Sequence, residues 1–113
     1  MAVVKDLFFV ARIRETARMV GTPLVFARTP EALADVLAEP ASLVLVDLTD
    51  RALDYGAVFA ALDGAAPRPP VVGYTTHALA RETQPLHARC TRVVTKETLT
   101  RELGRILSEG VAA

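Results

Sequence analysis

The chain has 113 residues, of which 51% are hydrophobic and 5% aromatic, and its 13 basic and 13 acidic side chains give a formal net charge of zero. This length predicts one domain over residues 1–113, and the balanced charge with few aromatics argues against nucleic-acid binding. No apolar run is long enough to span a membrane and no signal-like segment begins the chain, so we expect a cytoplasmic protein with no membrane contact. The single cysteine, Cys90, excludes an internal disulfide framework.

Five apolar, β-branched-rich runs alternate with segments of helical spacing. In chain order, the predicted strands are "DLFFVA" (6–11), "PLVFA" (23–27), "SLVLVD" (42–47), "PVVGYT" (70–75) and "TRVVT" (91–95). The predicted helices cover residues 13–21, 29–39, 51–64, 78–90 and 98–110. The second helix has Thr29 as its N-cap and Pro30 at its first position. The fourth is the weakest, because Pro85 interrupts its backbone hydrogen bonds.

This strict alternation predicts an α/β fold with a doubly wound, five-stranded parallel sheet and helices on both faces. Five such units in a chain of this size suit the flavodoxin-like arrangement, with strand order 2-1-3-4-5. The functional crevice of such a sheet lies at the carboxyl ends of strands 1 and 3, where the strand order reverses. Asp47 ends the third predicted strand, and Thr75 and Lys96 close the fourth and fifth beside it.

Three motifs at these strand ends carry a family resemblance. They are "LVLVDL" with Asp47, "VVGYTTHA" with Thr75 and "VVTK" with Lys96. Over its whole length the chain resembles the receiver domain of two-component response regulators, the CheY-like superfamily. The resemblance implies that Asp47 stands at the position of the phosphoacceptor, a nucleophile that takes a phosphoryl group. It also implies an acidic pair after strand 1 that holds Mg²⁺, an ion that prefers oxygen ligands.

The chain departs from this pattern at several positions. With the first strand placed at 6–11, Ala11 and Arg12 stand where the acidic pair is expected, and neither binds Mg²⁺. Val93 stands at the position of the switch aromatic and Glu97 at that of a proline. These departures predict a degenerate pseudo-receiver that binds no metal or other cofactor.

Asp47 then has two structural interpretations. Its carboxylate accepts hydrogen bonds from backbone N–H groups of the following loop, or it forms an ion pair with Arg12 or Lys96. Arg12 would in that case replace the charge of the missing metal. For Thr75 the structural alternative is that Thr75 or Thr76 caps the next helix.

We therefore expect a non-enzymatic signalling module that acts through protein–protein contacts. The surface formed by helix 4, strand 5 and helix 5 would bind a protein partner or a second copy of the chain, through residues around Arg92, Arg101, Glu102 and Arg105. One alternative is a phosphorylatable receiver that uses Asp47. Another is an α/β domain that binds a small anion or ligand through Arg12 and Lys96.

Overall fold

The computed structural model describes residues 2–3, 7–21, 29–38, 43–50 and 52–109. Within these ranges the strands are β1 (Ala2–Val3), β2 (Val44–Asp47), β3 (Val71–Thr75) and β4 (Arg92–Thr95). The α-helices are α1 (Leu7–Val20), α2 (Pro30–Val36), α3 (Tyr55–Asp63), α4 (Gln84–His87) and α5 (Lys96–Glu109), and a 3₁₀ turn covers His77–Leu79. None of the helices in these ranges is long and apolar enough to cross a membrane.

The described strands form one parallel sheet in the order β1-β2-β3-β4. Every residue of β2 and β3 is buried, which explains why these two strands appear in the sequence as continuous apolar runs. The order matches the one predicted for strands 1, 3, 4 and 5, and the α/β fold class is confirmed. The predicted strand at 23–27 lies outside the described residues.

The first predicted strand is wrong. Residues 7–11 of the run "DLFFVA" belong to α1, and the strand that pairs with β2 is Ala2–Val3. Phe9, Ile13 and Ala17 are buried at four-residue spacing, whereas Phe8 is 92% exposed. An apolar run of four residues fits either a strand or a helix, and here the helical spacing continues for two more turns.

The helices cover both faces of the sheet in two separate cores. One core packs α1 and α5 against Leu45, Val72, Tyr74 and Val94, and the other packs α2 and α3 against Val44, Val46 and Val71. Alternate residues of β2, β3 and β4 therefore enter opposite layers, as the two-residue repeat of a β-strand requires. Asp47 follows Leu45 in this alternation, so its side chain belongs to the α1–α5 side of the sheet.

Polar side chains at the helix ends determine where the helices begin. Thr29 accepts a hydrogen bond from the backbone N–H of Ala32 at 3.1 Å, which confirms the predicted N-cap. Asp54 does the same for Ala57 at 3.0 Å, so α3 begins at Tyr55 and not at residue 51. The predicted helix at 78–90 is reduced to the 3₁₀ turn and the four residues of α4, with Pro85 in the first turn of α4.

Candidate functional site at the carboxyl edge of the sheet

Asp47 is the last residue of β2, and its side chain is held by the loop that follows. The residue is 6% exposed. Its Oδ1 accepts hydrogen bonds from the backbone N–H of Thr49 at 2.7 Å and from the Thr49 hydroxyl at 2.6 Å. This is the loop-capping contact expected of an aspartate that ends a strand. Within the described residues no donor contacts Oδ2, so one carboxylate oxygen is fixed and the other is available.

Tyr55 holds the same loop from the first turn of α3. Its hydroxyl donates to the backbone carbonyl of Asp47 at 2.7 Å and accepts from the backbone N–H of Asp50 at 3.0 Å. Burial raises the pKa of the Tyr55 phenol, and the nearby charges of Asp47 and Asp50 raise it further, so the hydroxyl stays protonated and can keep donating. The sequence contains no motif that indicates this contact.

Thr75, the last residue of β3, is 3% exposed and lies next to a second buried threonine. The Thr83 hydroxyl oxygen lies 3.0 Å from that of Thr75 and 2.8 Å from Nε2 of His87. It also lies 3.3 Å from the carbonyl oxygen of Ala80. Thr76, and not Thr75, caps the following turn by accepting from the backbone N–H of Leu79.

Lys96 directly follows β4 and is the first residue of α5. Its Nζ lies 4.8 Å from the centroid of the Phe9 ring, a cation–π contact between α5 and α1. Phe9 in turn packs edge-on against Tyr74, with the ring centroids 5.1 Å apart. The structure thus places Asp47, Thr75 and Lys96 at the ends of three neighbouring strands, at one edge of the sheet.

Arg12 is not part of this group. It is an exposed residue of α1, and no ion pair joins Asp47 to Arg12 or to Lys96 in the described part of the chain. The predicted pairing is therefore absent, because position 12 lies within a helix and not at the end of a strand. The residues between β1 and α1 in the chain are Val-Lys-Asp, at 4–6. Asp6 is the carboxylate that directly precedes α1 in the sequence, and it lies outside the described residues.

The sequence contains a signal for a strand at residues 2–3. The apolar stretch "AVV" at 2–4 is followed by two charged residues, which is the pattern of a short buried strand that ends at the surface. The longer run "LFFV" at 7–10 was interpreted as the strand instead, because four large apolar residues indicate a strand more strongly than three small ones. The error moved the end of the first strand by eight residues, from 3 to 11.

A cavity of about 400 Å³ opens beside the residues that contact Asp47 and Thr75, and neither Asp47 nor Thr75 itself lines it. Two of its lining residues are Thr49, which binds Asp47, and Thr83, which contacts Thr75. The other lining residues are Leu48, Asp50, Leu53, Tyr55, Glu82 and Leu86. The cavity thus lies between the β2–α3 connection and the segment that leads into α4.

Two other kinds of site, a metal cluster and a reactive cysteine, find no support among the described residues. The described residues contain no cluster of three or more His, Cys, Asp or Glu side chains that would bind a metal. Cys90 is half-buried, and burial raises the pKa of its thiol to about 11, so the thiolate that reacts is scarce at neutral pH. Its Sγ packs against Gly73 of β3, as expected for a small buried hydrophobe.

The surface predicted to bind a partner carries an ionic cluster. Glu102 of α5 lies 2.9 Å from a guanidinium nitrogen of Arg105, 3.8 Å from one of Arg92 and 3.9 Å from one of Arg101. These pairs are partly exposed, so each contributes little to stability. They show that Arg92 of the edge strand and α5 form one continuous surface.

Comparison with solved structures identifies the fold. The chain is similar to the receiver domain of a sensor histidine kinase from Pseudomonas aeruginosa PAO1, whose crystal structure has a magnesium ion coordinated in the active-site cleft. The TM-score is 0.76, with 20% sequence identity over 99% of this chain and 95% of that one. No protein-family model matches the sequence, and neither does any curated protein sequence. The chain therefore has the receiver-domain fold.

Proposed function

We propose that this protein is a signal-transduction receiver that acts through protein partners and carries its signal as a phosphoryl group on Asp47. The observation that supports this most strongly is the state of the Asp47 carboxylate, which is buried at the carboxyl edge of the sheet with Oδ1 fixed by Thr49 and Oδ2 available. The contact through Oδ1 fixes the position of the carboxylate in the loop. A nucleophile needs one oxygen that is not engaged.

The chemistry follows from this geometry. Oδ2 of Asp47 attacks the phosphorus of a donor, a bond between oxygen and phosphorus forms, and the bond to the leaving group breaks with its electron pair leaving on that group. The product is an acyl phosphate that adds negative charge at a buried position, so nearby cationic groups stabilise it. Lys96 is a cation that directly follows β4 at the same edge of the sheet as Asp47. Its side chain would leave the Phe9 ring to approach the phosphoryl oxygens.

The expectation that Mg²⁺ plays no part loses its main support. It depended on Ala11 and Arg12 following the first strand, and both are residues of α1. The carboxylates of Asp47 and Asp6 supply hard oxygen donors of the kind that Mg²⁺ prefers, and these two residues would hold the ion while Oδ2 of Asp47 stays the attacking oxygen. The bound ion would supply neutralisation of the charge that builds up during phosphoryl transfer.

Val93 and Glu97 still depart from the family pattern, and a pseudo-receiver that is not phosphorylated is the alternative to this proposal. A signal from phosphorylated Asp47 has to reach the surface by a route that does not use an aromatic residue at position 93. The anion-binding alternative has less support, because it required Arg12 beside Asp47. We propose no metabolic turnover, a location in the cytoplasm, and a protein partner or second copy on the surface around Glu102.

The test is phosphorylation by a small donor. Incubation with acetyl phosphate and Mg²⁺ should increase the intact mass by one phosphoryl group, and Asp47→Asn should abolish the increase. Asp50→Asn is the matched control, because Asp50 lies in the same connection and its Oδ1 only accepts from the backbone N–H of Ala52. Asp6→Asn should remove the dependence on Mg²⁺ together with most of the product. An unchanged wild-type mass under these conditions would contradict the proposal.

A further inference from the structure

The cavity between the β2–α3 connection and the segment that leads into α4 combines apolar and acidic side chains. Leu48 is buried in the core on this side of the sheet, and Leu53 and Leu86 pack against the same core. Asp50 and Glu82 add two carboxylates to the lining. No Lys, Arg or His is among the described residues that line the cavity. Its volume of about 400 Å³ is within the range of sites that bind small organic molecules, roughly 300–1,000 Å³.

The hydroxyl groups of the lining have already committed their hydrogen atoms. Thr49 donates to Oδ1 of Asp47, and Tyr55 donates to the carbonyl of the same residue. The Thr83 hydroxyl lies 3.0 Å from that of Thr75, which accepts its single hydrogen. A hydroxyl donates only one hydrogen bond, and a carboxylate donates none. The lining side chains therefore offer acceptor oxygens and no uncommitted donor, which disfavours an anion and suits a ligand whose polar end only donates.

We propose that this cavity binds a small organic cation, a primary ammonium group carried on a compact apolar body. An ammonium group has three donors and no acceptor, which is the complement of a lining that offers acceptors and negative charge. The apolar body would pack against the leucines and the Tyr55 ring, where removal of apolar surface from water stabilises the complex. The binding inference goes beyond the proposed function and does not depend on it.

Two of the lining residues also hold Asp47, so the occupant lies one contact away from the proposed phosphoacceptor. Thr49 binds its carboxylate and Tyr55 binds its backbone carbonyl. A phosphoryl group on Asp47 would add negative charge next to the cavity and attract a cation there. The cation should therefore bind more tightly to the phosphorylated form. This coupling, unlike the binding itself, rests on the proposed function.

Amide NMR with the 2-phenylethylammonium ion tests the binding without any phosphorylation. We expect saturable shifts at Leu48, Asp50 and Leu86 with a Kd of about 1 mM, which is what a ligand of about nine non-hydrogen atoms allows. The neutral 2-phenylethanol should bind about tenfold more weakly, because it lacks the charged donor. No saturable shift with the cation, or equal affinity for the alcohol, would overturn the proposal. Tighter binding of Nα-acetyllysine amide would assign the cavity to a lysine of a protein partner and contradict a free molecule.

Carboxylate variants locate the ammonium group. Asp50→Asn and Glu82→Gln should each weaken binding of the cation by about threefold to tenfold and leave binding of 2-phenylethanol unchanged, which separates lost charge from a folding defect. Glu109→Gln is the matched control, because Glu109 is an exposed carboxylate at the far end of α5, and it should change neither affinity. Full affinity for the cation in both cavity variants would overturn the assignment.

The coupling is measured by repeating the cation titration on protein treated with acetyl phosphate, in the same Mg²⁺ buffer as the untreated sample. The Kd should fall by about fivefold or more in the modified protein, and Asp47→Asn should keep the value of the untreated wild type. An unchanged Kd in modified protein would overturn the coupling. If Asp47 is not modified, the proposed function fails, and the titrations of untreated protein alone decide whether the cavity binds the cation.

Discussion

Replacing Tyr55 by phenylalanine tests how the β2–α3 connection is held. The substitution removes one hydroxyl and with it two hydrogen bonds, to the carbonyl of Asp47 and from the N–H of Asp50. Each hydrogen bond contributes about 0.5–1.5 kcal/mol net, and the half-buried backbone groups keep partial access to water. We therefore expect a loss of about 1–3 kcal/mol in the free energy of unfolding, with the ring packing preserved.

Urea denaturation measures this change. The midpoint should fall with an unchanged m-value, because the surface exposed on unfolding stays the same. Ser108→Ala is the matched control, since its hydroxyl binds the backbone carbonyl of Gly104 on an exposed helix face and its loss should change stability by less than about 0.5 kcal/mol. Equal stability of wild type and Tyr55→Phe would refute the role of the hydroxyl. A similar loss in Ser108→Ala would show that the effect is not specific to this connection.

Three further predictions concern the core and the site. Gly73→Ala should destabilise the fold by about 1–3 kcal/mol, because the new methyl group would lie 2.8 Å from Sγ of Cys90 and 2.9 Å from Leu48. Adding Cys90→Ala to this variant should recover part of the lost stability in urea denaturation. Strictly additive effects of the two substitutions would contradict the predicted clash. Burial raises the pKa of the Cys90 thiol and so favours its neutral form in the folded state. The resulting stability is fully present below pH 9.0 and is lost as pH rises toward about 11. Thermal melts across this pH range should show the loss in the wild type and not in Cys90→Ala. Arg12→Ala should leave the melting temperature and the phosphorylation of Asp47 unchanged within error, because Arg12 is exposed on α1. A clear loss of either would indicate that Arg12 does pair with Asp47.

The central strands could be predicted from the sequence because burial on both faces leaves an unmistakable pattern. Residues 44–46 and 71–74 contain no charged side chain, and each run is followed by a polar residue, so the positions of Asp47 and Thr75 followed directly. The first strand could not be located in the same way. Its two residues are too few to outweigh the apolar start of α1, where Phe8 is exposed and Phe9 is buried.

The polar contacts of the site could not be predicted, because they depend on where the chain returns after a helix or a turn. Tyr55 reaches the carbonyl of a residue eight positions earlier, and Thr83 reaches a hydroxyl eight positions earlier. Neither spacing has a local signature. Thr83 lies in a segment whose helical pattern is weak, and in such a segment a buried threonine looks the same as an exposed one.

The most direct test of the central claim is to locate the phosphoryl group. Borohydride reduces an acyl phosphate of aspartate to homoserine, which peptide mass mapping detects at a single position. After treatment with acetyl phosphate and Mg²⁺, we expect homoserine at position 47 and nowhere else, with Asp50 unchanged in the same peptide map. Homoserine at another aspartate, or at none, would contradict the claim that Asp47 is the phosphoacceptor.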